Sequence, residues 1–484
     1  MNSIVQAVFE HSLLIPEKTA IVADDEKISY RELAEKTAIF SNALKLHSVR
    51  KGQRIAIETH DPIAYFTAFL GCQLCNAIAV PIEEHISTYK MQDILKSVKP
   101  VLVFMQNNGE SYRDFLTDNA PCGKVTYPKG DTTAAIIATT GTTGKPVLVT
   151  HTNKSIISEA QNLSAGTNIS EDTILFSNVP HDLALGYRRV FAALYMGATA
   201  VLTHKPSSPE LFAAYIKKFH INHLSIVYSN VNMLLDISNS KLSEALHRLN
   251  TIEIIAGSIA APQIHSFCRE YPDATLYSVY GATESGCILI NNVSQTPVEN
   301  CLGKPALHAE ISIIDENGSH IETPHQYGYI AVKGSMNMSG YYHKKALTAK
   351  IMHSDYIILN DIGYFDEDGF YYFVSRVGEV INAGEHKVIP GDIERAVSNY
   401  EGITDCACAI LTTKDSIQVP ILYIVCSVDD FDMEKLQDYL TQHLESYKLP
   451  EKIICLDKIP RTATGKILRK SLAISEKKSG PLLN

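Results

Sequence analysis

No apolar run in this chain approaches a membrane span: stretches such as Ala134 to Ala138 end after a few residues, where about 20 would be needed. An excess of positive charge is also missing, because 43 Lys and Arg face 53 Asp and Glu for a formal net charge of −10. That balance excludes general attraction to nucleic acid or anionic lipid, so an anionic substrate needs locally placed donors. The segment Met1 to Lys18 carries Glu10 and His11 and lacks a basic region followed by a small-residue cleavage site, which argues against secretion and for a cytoplasmic location. Low-complexity tracts and internal repeats are absent, and fraying is expected only in the tail that begins at Lys477-Lys478-Ser479-Gly480. Cys72 and Cys75 have the spacing of a redox or metal pair, but they fall in the apolar stretch Ala64 to Val80, which reads as a buried helix. Core packing is the reading for that pair, and also for Cys406 and Cys408, which alternate on an expected strand.

The 484 residues suit two or three structural units. Short apolar runs at Ala20 to Ala23, Val101 to Met105, Ala134 to Thr139, Ala200 to Thr203 and His223 to Val227 read as strands, as does the alternating segment Arg54 to Glu58. Helical stretches such as Tyr30 to Leu44 separate most of them, so the fold class is α/β with parallel sheets. From Gly303 to Tyr372 the texture changes to short strands and turns, including Asp315-Glu316-Asn317-Gly318 and Asp366-Glu367-Asp368-Gly369, which suggests an antiparallel, barrel-like subdomain. Helices return at Gly391 to Asn399 and Met433 to Glu445. The domain boundary is placed near Val377 and Gly378, giving residues 1–376 (with 303–376 barrel-like) and 377–484.

Four segments carry candidate chemistry. After the strand Ala134 to Ala138 comes Thr139-Thr140-Gly141-Thr142-Thr143-Gly144-Lys145-Pro146, whose glycines let successive N–H groups converge and whose hydroxyls add donors suited to a polyphosphate. It is not a Walker loop, and a polar turn is its ordinary meaning. Tyr277-Ser278-Val279-Tyr280-Gly281-Ala282-Thr283-Glu284 ends a strand with an aromatic that can stack on a purine and a carboxylate that can bind magnesium through oxygen. Asn360-Asp361-Ile362-Gly363 places an aspartate after a strand, suited to both hydroxyls of a ribose, with Arg376 following at Val374-Ser375-Arg376. Near the C-terminus, Arg461-Thr462-Ala463-Thr464-Gly465-Lys466 puts a lysine after a Thr/Gly turn, where a mobile arm can deliver a positive charge. Taken singly, each of the last three also reads as an unremarkable turn or surface feature.

Together, in this order and separation, the four resemble the adenylate-forming superfamily of acyl-CoA synthetases, aryl-CoA ligases, luciferases and nonribosomal-peptide adenylation domains. The resemblance spans nearly the whole chain and includes Ile28-Ser29-Tyr30-Arg31-Glu32-Leu33, Gly340-Tyr341-Tyr342, Val388-Ile389-Pro390-Gly391-Asp392 and Tyr447-Lys448-Leu449-Pro450. It implies a large N-terminal domain of sheets sandwiched with helices plus a distorted β-barrel, and a small, mobile α+β C-terminal domain. It implies ATP and Mg2+ as cofactors and an acyl-adenylate as intermediate. By position, Thr139 to Gly144 with Lys145 would cradle phosphates, Tyr280 would flank adenine with Gly281 and Thr283 also in contact with the nucleotide, Glu284 would hold magnesium, and Asp361 with Arg376 would bind ribose. Gly257 and Ser258 match a segment lining adenine and acid, and Lys466 would be the lysine inserted for adenylation.

The chain departs from the pattern in four places. Lys145-Pro146 runs directly into Val147, two residues short of the usual loop; the hinge position is Gly378; Gly384-Glu385 stands where Gly-Gly is usual; and Asn360 replaces a common glycine. These keep open a catalytically weak acid- or adenylate-binding protein beside the ligase. No Gly-x-Gly-x-x-Gly follows a strand, which excludes a dinucleotide-binding oxidoreductase.

His181, in Asn178-Val179-Pro180-His181-Asp182, corresponds to a gate of the family's acid pocket, the alternative being a helix-capping or surface histidine. The Phe-Asp-x-Ser of amino-acid-specific relatives is missing, so an aryl or fatty acid is favoured as the small carboxylic acid substrate. Tyr228 and Ser229, with Ser285 and Gly286, are candidates to line its pocket. The acceptor is coenzyme A or the phosphopantetheine of a separate acyl carrier protein, with coenzyme A favoured.

Overall fold

Ser29 opens the second helix, Tyr30–Leu46, with a full capping box: its hydroxyl accepts from Glu32 N while the Glu32 carboxylate accepts from Ser29 N. Asp61 caps Pro62–Leu74 with its side chain alone, accepting from Ile63 N and Ala64 N with proline at the first helical position. A computed structural model describes the chain except residues 85, 106–124, 140–145, 203–207, 228–239, 256–260, 378–380, 384–385, 399, 413–417, 428–430, 462–466, 470 and 473–484. The chain divides into two compact units, Met1–Ser312 with Ala331–Leu359, and Ile313–Ile330 with Asn360–Asn484.

In the larger unit one sheet runs in the order Cys301–Pro305, Gly286–Asn292, Thr275–Ala282, Thr251–Ile255, His223–Val227, Ile174–Ser177, Thr199–Leu202, Thr19–Ala23, Glu26–Ser29. Its central strands are parallel, as the alternation of strands and helices predicts. Alternation along Ile21, Val22 and Ala23 sends side chains into two different cores. Val22, Val201, Leu224 and Ile252 pack with residues of the helices Pro209–Phe219, Ser240–Leu246 and Ala261–Glu270. Ile21 and Ala200 pack with residues of Ile4–Leu14, Tyr30–Leu46, Pro62–Leu74 and Ala184–Met196. Both faces are covered, which is why His223–Val227 and Thr251–Ile255 are buried along their whole length.

A second sheet of the same unit runs Gly340–Tyr341, Val147–Thr152, Thr133–Thr139, Ile78–Pro81, Arg54–Glu58, Leu102–Met105. Here one expectation is corrected. The helix expected from Ala64 to Val80 stops at Leu74, Asn76 adopts φ 59°, and Ile78–Pro81 is a buried parallel strand beside Arg54–Glu58. An unbroken apolar run does not say which period it follows. The packing reading of its cysteines holds: Cys72 lies in the core, and the Cys75 thiol donates to the Cys72 carbonyl at 3.5 Å.

In the smaller unit, Asp315 and Asp366 each close a tight turn with their carboxylates, Asp315 accepting from Asn317 N and Ser319 N, Asp366 from Asp368 N and Phe370 N. A three-stranded sheet, Ile403–Thr412, Gln418–Cys426 and Lys452–Cys455, packs on the helices Pro390–Ser398 and Met433–His443 through Ile393, Val397, Leu422, Ile424, Leu436 and Leu440. Cys408 sits in that core, and the Cys406 thiol donates to the Glu394 carbonyl. Among the described residues no helix is long and apolar enough to cross a membrane.

Candidate functional site

The strand Thr275–Ala282 delivers the segment from Tyr280 to Glu284, and the chain turns back at once into Gly286–Asn292. Two glycines make this turn possible. A Cβ on Gly281 would stand 1.9 Å from the Gly286 carbonyl oxygen, and Gly286, at φ 66°, would press a Cβ to 2.9 Å from the Glu159 carboxyl carbon. Ser285 is fully buried, its hydroxyl accepting from Ala282 N inside the turn.

A buried polar network grips this turn. Arg188, on the helix Ala184–Met196, donates from Nη1 to the Ala282 carbonyl at 3.2 Å and from Nη2 to the Thr283 carbonyl at 3.0 Å. Its Nε lies 3.1 Å from Glu159 Oε2, with both side chains buried. Glu159 Oε1 in turn accepts from Cys287 N at 3.1 Å, beyond the turn. Burial pushes the Glu159 carboxyl up against the pull of Arg188, whereas burial pulls Arg188 down but the Glu159 carboxylate and its neighbours raise it overall. Arg188 is thus the partner that opposes the cost of burying the Glu159 carboxylate.

His151 completes the grip. Its Nε2 lies 2.8 Å from the Thr283 carbonyl oxygen, which fixes the proton on Nε2, and its Nδ1 lies 3.2 Å from Ser155 Oγ. Burial, helped by the Arg188 charge, pushes its pKa down to about 3, so the ring is neutral.

Glu284 itself is half-buried, and its Oε1 accepts from the Tyr341 hydroxyl at 2.9 Å. Burial and the Glu284 charge push the Tyr341 phenol up, which keeps it protonated and donating. Tyr341 is placed by Gly340–Tyr341 pairing with Val147–Thr152, the strand that also carries His151. That strand pairs antiparallel with Thr133–Thr139, the strand that precedes the Thr/Gly segment in the sequence. Thr139, at the end of its strand, donates to the Val147 carbonyl at 3.3 Å.

In the smaller unit Asp361 and Arg376 are directly opposed across an antiparallel pair, and Arg376 Nε donates to Asp361 Oδ1 at 3.1 Å. The aspartate lies within the strand Tyr356–Phe365, where the sequence suggested it follows one. Asp361 is 7% exposed while the Arg376 side chain is 45% exposed, so a buried carboxylate is held by a cation that reaches solvent.

His181 does not cap a helix: Leu183 is the N-cap of Ala184–Met196, and the half-buried His181 ring packs edge-on to Tyr65 at 5.0 Å with Nε2 3.3 Å from the Thr59 carbonyl oxygen. Burial holds its pKa below the usual value. Thr140, Gly141, Thr142, Thr143, Gly144, Lys145, Tyr228, Ser229, Gly257, Ser258, Gly378 and Lys466 lie outside the described residues, as do Gly384, Glu385 and the tail.

Sequence reading gave no role to Glu159, Arg188, His151 or Tyr341, the last quoted only within Gly340-Tyr341-Tyr342. The available signal was an ionisable residue among the apolar positions of each of two helices, Glu159 in Asn153–Gly166 and Arg188 in Ala184–Met196.

A family model described as AMP-binding enzyme matches residues 11–342, and one described as AMP-binding enzyme C-terminal domain matches residues 392–466. The chain is similar to 2-succinylbenzoate–CoA ligase of Bacillus subtilis (strain 168), with 24% identity over 486 residues covering 97% of this chain and 98% of that one. It is similar to the protein of the same name from Geobacillus sp. (strain WCH70), with 25% identity and 97% of each chain covered. Among solved structures it shares its fold with ATP-bound MatB from Rhodopseudomonas palustris, at a TM-score of 0.91, 20% identity and 99% of each chain covered. It shares it also with O-succinylbenzoate coenzyme A synthetase (MenE) from Bacillus subtilis in complex with AMP, at a TM-score of 0.84, 24% identity, and 96% of this chain and 97% of that one covered.

Proposed function

This chain belongs to the AMP-binding enzyme family, and we propose that it activates a carboxylic acid with ATP and transfers the acyl group to a thiol. In the first step the acid's carboxylate oxygen attacks the α-phosphorus and pyrophosphate leaves, giving an acyl-adenylate. In the second the thiol sulfur attacks the acyl carbonyl, AMP leaves, and a thioester forms. The acceptor is coenzyme A, in keeping with the names of the full-length relatives; a phosphopantetheine carrier protein is the alternative acceptor. The acid is of the aryl class, with 2-succinylbenzoate the first to test. A cytoplasmic location belongs to the same reading.

The observation that carries this reading is the Glu284 turn, clamped through its main chain by Arg188 and His151 so that one carboxylate is held at a fixed place. Tyr341 occupies one Glu284 oxygen and leaves acceptor capacity for a hard cation. Among the described residues no cluster of three or more His, Cys, Asp or Glu forms a cage, which fits magnesium, since that ion uses one or two carboxylates and completes its shell with phosphates and water. When bound, magnesium neutralises charge on the phosphates and on the leaving pyrophosphate.

The protein supplies the rest by position. Asp361, steadied by Arg376, accepts from the ribose hydroxyls. Tyr280, Gly281 and Thr283 border the adenine, together with Gly257 and Ser258. Thr139 to Lys145 donate to the phosphates. Lys466 brings its positive charge between the acid and the α-phosphate, where two anions otherwise repel, and the Gly378 hinge lets the domain from residue 377 withdraw it before the thiol arrives. His181, Tyr228, Ser229, Ser285 and Gly286 border the acid; for Ser285 the contribution is main chain, because its hydroxyl is engaged within the turn.

A catalytically weak binding protein is the less favoured reading, because full-length relatives are named as ligases. ATP–pyrophosphate exchange with a panel of acids tests the choice. Exchange with a benzoate-type acid, followed by thioester formation with coenzyme A, is the expected result; no exchange with any acid would overturn it.

A further inference from the structure

We propose that Cys426 and Cys455 form a reversible thiol–disulfide modification site on the surface of the smaller unit. Cys426 ends the strand Gln418–Cys426, and Cys455 ends its parallel neighbour Lys452–Cys455. The register pairs Cys455 with Ile424, so Cys426 lies two residues further along and on the same face of the sheet. The two Sγ atoms stand 3.4 Å apart, with Cys455 exposed and Cys426 half-buried. The other described cysteines offer no such pair: Cys72, Cys287, Cys301 and Cys408 are buried, Cys75 and Cys406 donate to backbone carbonyls, and Cys268 donates to Ser294. The assignment stands apart from the proposed ligase activity.

The chemistry needs a low-molecular-weight disulfide as oxidant, such as oxidised glutathione. The Cys455 thiolate attacks one of its sulfurs, forming a mixed disulfide and expelling one glutathione thiolate. The Cys426 thiol then gives its proton to solvent and attacks the Cys455 sulfur, closing the protein disulfide and expelling the second thiolate. Two protein thiols are oxidised, one small disulfide is reduced to two thiols, and the protons lost by the cysteines match those taken up by the released thiolates. Burial and the hydrogen bond to Cys455 push the Cys426 thiol up to about 11, so ring closure quickens as the pH rises. An exposed bond of this kind responds to thiol poise and is not a permanent staple. Closure draws the two sulfurs from 3.4 Å to a bond of about 2.05 Å, so the strand ends shift toward each other, and the bond restricts the unfolded chain between 426 and 455.

The full-length protein is equilibrated across a series of oxidised to reduced glutathione ratios, trapped by alkylation and mapped without reduction. The expected result is one dominant linked peptide joining Cys426 to Cys455, reversed by dithiothreitol, with a higher thermal midpoint in the oxidised form. In Cys426→Ser, Cys455 should stop at the glutathione mixed disulfide, and in Cys455→Ser no linkage to Cys426 should appear. Mixed disulfide alone in the natural protein, linkages scattered over other cysteines, or no oxidation at any ratio would each overturn the assignment.

Discussion

Glu159 Oε2 and Arg188 Nε lie 3.1 Å apart in a buried ion pair that holds the Glu284 turn from both ends, Arg188 through the carbonyls of 282 and 283 and Glu159 through the amide of Cys287. Arg188→Ala leaves a carboxylate buried without its counter-charge and should lower stability by about 3–5 kcal/mol. Denaturant titration checks this, and the double variant Glu159→Gln with Arg188→Met should recover part of the loss. A loss below about 1 kcal/mol would mean that the pair is not desolvated as described.

Stability should fall on mild acidification. His151 and His223 are both buried and neutral, with burial pushing their pKa values down to about 3 and about 4. Below about 6.5 the unfolded chain takes up protons that the folded chain refuses, so the contribution of each is present above that pH and is lost on the way down to its folded value. For His223 the loss approaches about 3 kcal/mol by pH 4. Unfolding curves at pH 7 and pH 5 should show a smaller difference for His223→Gln than for the natural protein; equal differences would remove His223 from the account.

The Asp361–Arg376 pair predicts a specific kinetic defect. Asp361→Asn keeps the shape but removes the charge that strengthens hydrogen bonds to hydroxyls, each about 1.5–3 kcal/mol. The KM for ATP should rise on the order of 10–100-fold, with the KM for the acid little changed. A rise confined to the acid would move Asp361 out of the nucleotide site.

Much of the fold could be read from short apolar runs with polar ends. The run His223 to Val227 is a strand with those bounds because burial on both faces leaves no alternation to misplace, and Arg54 to Glu58, read from its alternation, is also a strand with its expected bounds. The Asp-x-x-Gly turns at 315 and 366 were visible because the carboxylate that closes each turn is in the turn itself. The apolar stretch from Ala64 to Val80 was ambiguous for the opposite reason: a helix and a strand follow one another without a polar break beyond Gln73 and Asn76. The segment Tyr280 to Glu284 was legible as a motif, but what holds it was not. Glu159, Arg188 and Tyr341 are brought to it by tertiary packing from distant parts of the chain, and no local spacing records that.

The first step rests on Lys466, the one cation brought between two anions. Lys466→Ala should slow acid-dependent pyrophosphate release on the order of 10²–10³-fold, while transfer from a preformed adenylate to coenzyme A proceeds at its ordinary rate. Pyrophosphate release at an unchanged rate in that variant, with an acid the natural protein activates, would contradict the account.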